Sequence, residues 1–145
     1  VTTIDFYTHC ADCFQIVARL VVKAWAQHGS VRVLTADPSA TAELDRFLWL
    51  WPAIGFVPHC RLGSALASET PVIVDEALTH EGPAAVLVNL HPSPPPFFSR
   101  FERLAEVVGL DEDAAAAGRE RWKFYKARGY EVRPHNLSGR SPLGA

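Results

Sequence analysis

The stretch TIDFYTHCADCFQIVARLVVKAWAQHGSVRVLT, residues 3–35, decides the fold. It opens on Thr3-Ile4-Asp5-Phe6-Tyr7, a short β-branched and aromatic run that reads as a strand. A helical period follows, with Phe14, Val17, Ala18, Val21, Ala24 and Trp25 at three- and four-residue steps. Gly29 ends it, because glycine tolerates the left-handed conformation at a helix C-terminus. Val31-Arg32-Val33-Leu34-Thr35 then reads as a second strand. Strand, helix and strand in succession form a crossover unit, and a crossover makes the two strands parallel neighbours in one sheet.

The pattern repeats outward from there. Asp37-Pro38 opens a second helix: the Asp side chain accepts from free N–H groups, Pro suits the first helical position, and Ala40, Leu44, Phe47 and Leu48 make the apolar stripe. Leu50 to Leu66 is irregular, punctuated by Pro52, Gly55, Pro58 and Gly63. Pro71 to Val74 is a third strand. Ala85 to Leu90 is a fourth, apolar throughout as for a strand covered on both faces. After a proline-rich loop at His91 to Pro96, Ser99 and Glu102 stand as a capping box and predict a helix through Val108, stopped by Gly109. Asp111 starts a last helix to about Arg128, a short strand is expected at Tyr130 to Arg133, and Pro134 to Ala145 reads as a mobile tail. The expectation is a single three-layer α/β/α domain over residues 1–133 with a flexible tail at 134–145. Its sheet is largely parallel, a mixed sheet staying open, and its layering is Rossmann-like.

Composition narrows the function. The chain has 145 residues, 48% apolar and 21% charged, which is one globular domain and excludes a disordered or fibrous chain. A net charge of −2 argues against a nucleic-acid binder that uses its whole surface. No run approaches a membrane span and no secretory leader is read, so a cytoplasmic protein is expected. The P-loop, the dinucleotide Gly-x-Gly-x-x-Gly and the Gly-x-Ser-x-Gly elbow are all missing. Asp111-Glu112-Asp113 reads as a helix start favoured by the macrodipole rather than as a metal site.

One motif points to an enzyme. Cys10-Ala11-Asp12-Cys13 follows a strand and opens a helix, where the helix N-terminus favours a thiolate, and Thr70-Pro71 mimics the proline loop that faces such sites. A thioredoxin- or glutaredoxin-like thiol–disulfide oxidoreductase using Cys10 and Cys13 is the alternative function. The bland reading is two small apolar residues near a helix start. A zinc version would add His9, His59 and Cys60.

A different constellation lies on the last helix. At about 100° per residue, Arg119, Trp122, Lys123 and Lys126 share one arc, a cationic face with a large aromatic inside it. Phe124 and Tyr125 turn toward the sheet. From Arg119 to Arg133 six basic residues face two acidic ones, a local balance of +4 in a chain that is −2 overall. A basic outer face is ordinary near a helix C-terminus, but a Trp among exposed cations is apolar surface left uncovered unless something docks there. An acidic peptide with a terminal aromatic would fit. A second cluster, Leu48-Trp49-Leu50-Trp51-Pro52 with Phe56-Val57-Pro58-His59, reads either as interface anchors or as filling under a long loop.

Taken in order, these segments resemble the chi subunit family of the bacterial DNA polymerase III holoenzyme. The resemblance is carried by Ile4-Asp5-Phe6-Tyr7, Lys23-Ala24-Trp25, Leu44 to Trp49, Phe56-Val57-Pro58-His59, Pro71-Val72-Ile73, Val86 to Leu90, Phe101-Glu102-Arg103, and Arg119 to Tyr125 with Gly129-Tyr130. It implies a non-catalytic accessory subunit associated with the clamp loader, and no cofactor or metal is expected. Direct single-strand DNA binding through the basic helix is a third possibility, against which stand the net charge and the single exposed aromatic there. The partners implied by the resemblance are the acidic, Phe-ended C-terminal tail of single-stranded DNA-binding protein and the psi subunit. The family's tail-binding positions fall on Arg119, Trp122, Lys123 and Lys126, with Trp122 where a Tyr is also found. Trp49 and Phe56 fall on positions that face psi, and Pro52 and Pro58 shape that loop. The resemblance gives Cys10 and Cys13 no role.

Overall fold

The computed structural model describes residues 2–50 and 58–138. The elements are β1 (Thr3–Cys10), α1 (Cys13–His28), β2 (Val31–Leu34), α2 (Pro38–Leu50), β3 (His59–Cys60), β4 (Val72–Asp75), β5 (Val86–Asn89), β6 (Arg103–Gly109), α3 (Glu112–Ala127) and β7 (Val132–Asn136). Among the described residues one seven-stranded sheet runs in the order β3-β4-β2-β5-β6-β1-β7. Every pair in it is parallel, so the mixed sheet left open by the sequence is not formed.

The helix ends obey local chemistry. Asp12 caps α1 by accepting from the Gln15 N–H at 3.2 Å, and the Gly29 N–H closes its last turn on the Trp25 carbonyl at 2.9 Å with φ +82°. Asp37 accepts from the Ala40 N–H at 2.8 Å and starts α2 one residue before Pro38.

The sheet separates two unlike cores. On one face α1 and α2 press Val17, Val21, Leu44 and Leu48 onto Val31, Val33, Val72, Val74, Val86 and Val88, an almost wholly aliphatic layer. On the other face α3 and the segment before β6 cover Ile4, Phe6, Leu87 and Leu104 with Phe97, Phe98, Phe101 and Tyr125.

The helix expected from the Ser99/Glu102 capping box is not there. Phe98–Arg100 makes a single 3-10 turn, and Arg103–Gly109 is strand β6, lying between β5 and β1. Leu104 through Val108 are all buried, with Leu104 aligned to Leu87 on one side and Ile4 on the other. A short apolar run fits a strand covered on both faces as well as a buried helix, and flanking layers decide which forms. Two further differences are small. Strand β3, only two residues long, was not foreseen, and β7 extends through Pro134 to Asn136, where a tail was expected. Pro134 is tolerated because β7 is an edge strand whose outer side has no ladder to complete. Residues 139–145 lie outside the described residues.

Candidate protein-docking helix

α3 begins as its sequence dictates. Asp111 accepts from the Ala114 N–H at 2.8 Å, and Glu112 and Asp113 fill the first turn, where negative charge meets the positive end of the helix dipole. The helix then descends onto β6. A Cβ on Gly118 would meet Val108 Cγ1 at 2.9 Å, so the absence of a side chain lets the two backbones approach.

Beyond Gly118 the contact turns polar. Glu106 of β6 is fully buried, and four donations converge on its carboxylate. Arg121 Nε donates at 2.8 Å, Asn89 Nδ2 donates to both oxygens at 2.9 and 3.1 Å, and the Tyr125 hydroxyl donates to Oε2. Arg121 is 4% exposed and also donates to the Pro92 carbonyl at 3.0 Å. Burial pushes the Glu106 carboxyl above its ordinary range, while the Arg121 charge and the donated hydrogen bonds pull it back. Tyr125 is held well above the usual phenol range by burial first and by the Glu106 charge next. Arg121 and Tyr125 stand one helical turn apart, so gripping both fixes the rotation of α3 about its axis.

That rotation determines what faces outward. Arg119, Lys123 and Lys126 are exposed on the arc expected from the sequence, with Trp122 among them. Trp122 is not bare surface as expected. It is half-buried, its ring meeting Phe6 edge-on with centroids 5.2 Å apart, so part of the indole belongs to the core. The local charge of +4 is also reduced in effect. Arg121 is spent inward, Arg133 grips Asp5 through two bonds of 2.9 and 3.0 Å, and Arg128 lies 3.6 Å over the Phe124 ring. Lys123 makes a 3.2 Å pair with Glu120, both well exposed, which contributes little.

The second cluster separates from the first. Trp49 and Leu50, at the end of α2, are 52% and 67% exposed, so Trp49 does not fill the core. The Trp49 ring lies 4.4 Å from that of His59, whose Nε2 is 3.3 Å from Asp45 Oδ1. A cavity of about 580 Å³ opens beside them, lined also by Cys60, Arg61 and Asp75. Pro58 is half-buried at the start of this segment, whereas Pro52 and Phe56 lie outside the described residues.

The zinc arrangement is not assembled. His59 and Cys60 sit on β3 at one edge of the sheet, with four strands between them and β1, which carries His9 and Cys10. Among the described residues no group of three or more His, Cys, Asp or Glu is placed to hold a metal ion. Thr70-Pro71 lies at the amino end of β4, far across the sheet from the carboxyl end of β1, so it does not face the cysteines.

Sequence reading missed Glu106, Asn89 and their hold on Arg121. The available signal was a polar residue inside each of two otherwise apolar runs, answered by Arg and Tyr at a four-residue spacing.

The chain matches the family described as DNA polymerase III chi subunit, HolC, over residues 1–133. It is 32% identical over 140 residues to the DNA polymerase III subunit chi of Pseudomonas aeruginosa, covering 94% of this chain and 97% of that one. It is 26% identical over 119 residues to the subunit chi of Escherichia coli, covering 81% of each chain. The subunit chi of Haemophilus influenzae is 24% identical over 140 residues, covering 93% of this chain and 97% of the relative.

Proposed function

The chain belongs to the DNA polymerase III chi subunit family, and from that premise we propose that it is a non-catalytic accessory subunit of the bacterial replicase. In this reading α3 holds the acidic, Phe-ended C-terminal tail of single-stranded DNA-binding protein. The observation that carries it is the outward face of α3, where Arg119, Lys123 and Lys126 stand exposed around a half-buried indole. Cations on such a face pair with tail carboxylates, while the exposed part of the Trp122 ring offers an apolar wall to a terminal phenyl group. The buried grip on Arg121 and Tyr125 orders that face before a partner arrives, which lowers the cost of binding. The surface around Trp49 and Pro58 is the contact for the psi subunit, and through psi for the clamp loader. An exposed Trp beside a cavity is the kind of anchor that interfaces use.

Titration with a synthetic acidic peptide ending in Phe tests the tail reading. A Kd on the order of micromolar is expected, about −8 kcal/mol, as for a short segment that orders on binding. Affinity should fall as salt rises, because ion pairs carry part of it. Trp122→Ala should weaken binding by about 2 kcal/mol. A peptide lacking the terminal Phe that binds as well as the complete one would remove the indole wall from the account.

A further inference from the structure

The adaptor reading leaves Cys10 and Cys13 without a role, and the fold puts them in a particular place. The chain leaves β1 through α1 toward the aliphatic face and leaves the neighbouring strand β6 through α3 toward the other face. Adjacent parallel strands whose helices depart to opposite faces bring their carboxyl ends side by side, the end of an open parallel sheet where reactive groups are commonly placed. Cys10 is the last residue of β1, and Cys13 is the first of α1. Gly109 pairs with Cys10 in the β1–β6 ladder, and a Cβ there would lie 3.4 Å from Cys13 Sγ. Backbone strain collects at the same point. His9, at φ +61°, is the one non-glycine with positive φ among the described residues, and the β1 register shifts between Tyr7 and Cys10.

The two sulfurs are not equivalent. Cys10 is 2% exposed and its S–H reaches the Tyr7 carbonyl at 3.4 Å. Cys13 is half-buried, opens the helix, and donates to the Cys10 carbonyl at 3.6 Å. Once Cys13 ionises, the Cys10 S–H donates to its thiolate, and this lowers the Cys13 pKa despite the carboxylates of Asp12 and Asp111 nearby. The same bond, together with burial, holds Cys10 protonated.

We propose that Cys10 and Cys13 form a redox-active dithiol, with Cys13 the attacking sulfur and a low-molecular-weight disulfide its reactant. The Cys13 thiolate attacks one sulfur of the disulfide. A Cys13–sulfur bond forms, the original S–S bond breaks, and the first thiolate departs and takes a proton from water. Cys10 then gives up its proton and attacks Cys13 Sγ, expelling the second thiolate, which is protonated in turn. The protein dithiol has lost two electrons and two protons to become a Cys10–Cys13 disulfide, and the small disulfide has become two thiols. The roles invert the usual order of the motif: here the second cysteine is the more accessible and attacks, and the first is the buried resolving group.

The test uses the whole folded protein, oxidised glutathione as the disulfide, alkylation of residual thiols, and mass spectrometry of the intact chain and its peptides. Cys60, half-buried on β3, is an internal control. In wild type the Cys10–Cys13 pair should lose two hydrogens and retain no glutathione, on the order of tenfold faster than Cys60 is modified. Cys10→Ser should trap glutathione on Cys13, and Cys13→Ser should leave Cys10 a thiol. Cys10→Ala serves as the trap if serine is not accommodated in the buried site, with circular dichroism reporting the fold of each variant. Modification of Cys60 while Cys10 and Cys13 both remain alkylatable would overturn the proposal. So would a folded Cys10 variant that accumulates no mixed disulfide at Cys13.

Discussion

The two faces of the sheet are built on different principles. Under α1 and α2 the contact is mainly aliphatic, Val and Leu against Val, with the buried hydroxyls of Thr35 and Thr41 bonded to each other at the start of α2. Under α3 the contact is aromatic and charged: Phe98 packs edge-on against Tyr125 and Tyr130, and beside them Glu106 gathers Arg121, Tyr125 and Asn89. The first kind of layer supplies stability and tolerates small rotations of its helices. The second specifies one rotation, since every buried polar group must keep its partner. The face that carries the proposed tail site is the one whose helix is held in this directional way.

The comparison breaks first at Glu106. Glu106→Ala leaves the Arg121 guanidinium buried without its counter-charge and should cost about 3–5 kcal/mol in urea denaturation. Replacing three members of the network with apolar groups, Glu106→Leu with Arg121→Met and Tyr125→Phe, should recover much of that loss, because no charge is then stranded and Asn89 keeps its bond to the His91 carbonyl. If the triple variant is as unstable as Glu106→Ala, the network contributes packing alone and the contrast between the faces disappears. On the aliphatic face Leu44→Ala should cost about 3 kcal/mol, the transfer and cavity cost of a fully buried leucine, and should leave affinity for the acidic peptide unchanged.

The same contrast explains what the sequence disclosed. The aliphatic face was legible, because Val17, Val21, Leu44 and Leu48 repeat at helical spacing, and β2, β4 and β5 are short β-branched runs between breakers. Residues 99–109 were misread because Ser99 and Glu102 form a valid local capping signal, while the strand is imposed by β1 and β5, distant in sequence. The outward arc of α3 was legible from angular spacing alone. The inward grip on it was not, since nothing local to Glu106 indicates that Arg121 will lie above it. Trp122 was half legible: its place in the arc was right, but its contact with Phe6 depends on a strand more than a hundred residues earlier.

Smaller effects sharpen the separation of the two surfaces. Trp49→Ala should change stability by no more than about 1 kcal/mol, because the ring is half in solvent, and should leave peptide affinity intact while loosening a complex with psi. Gross unfolding of that variant would return Trp49 to the core. The smallest effect concerns pH. His80, buried against Phe97 and Phe101 and near Arg32 and Arg100, has its pKa lowered, chiefly by burial and also by those cations. The unfolded chain therefore binds the His80 proton more readily than the folded one. Stability should fall as pH drops below about 6.5, where the unfolded imidazole begins to charge, and level off once the folded one charges too. A His80→Gln variant should show a shallower decline over that window.

The most direct measurement is calorimetric titration of wild type and Lys123→Glu with the Phe-ended acidic peptide at low salt. The side chain of Lys123 is 74% exposed, so the reversal should leave the fold intact, and circular dichroism can verify this. If α3 is the docking surface, affinity should drop by about 2 kcal/mol, close to thirtyfold. Equal binding by the two proteins would contradict the assignment.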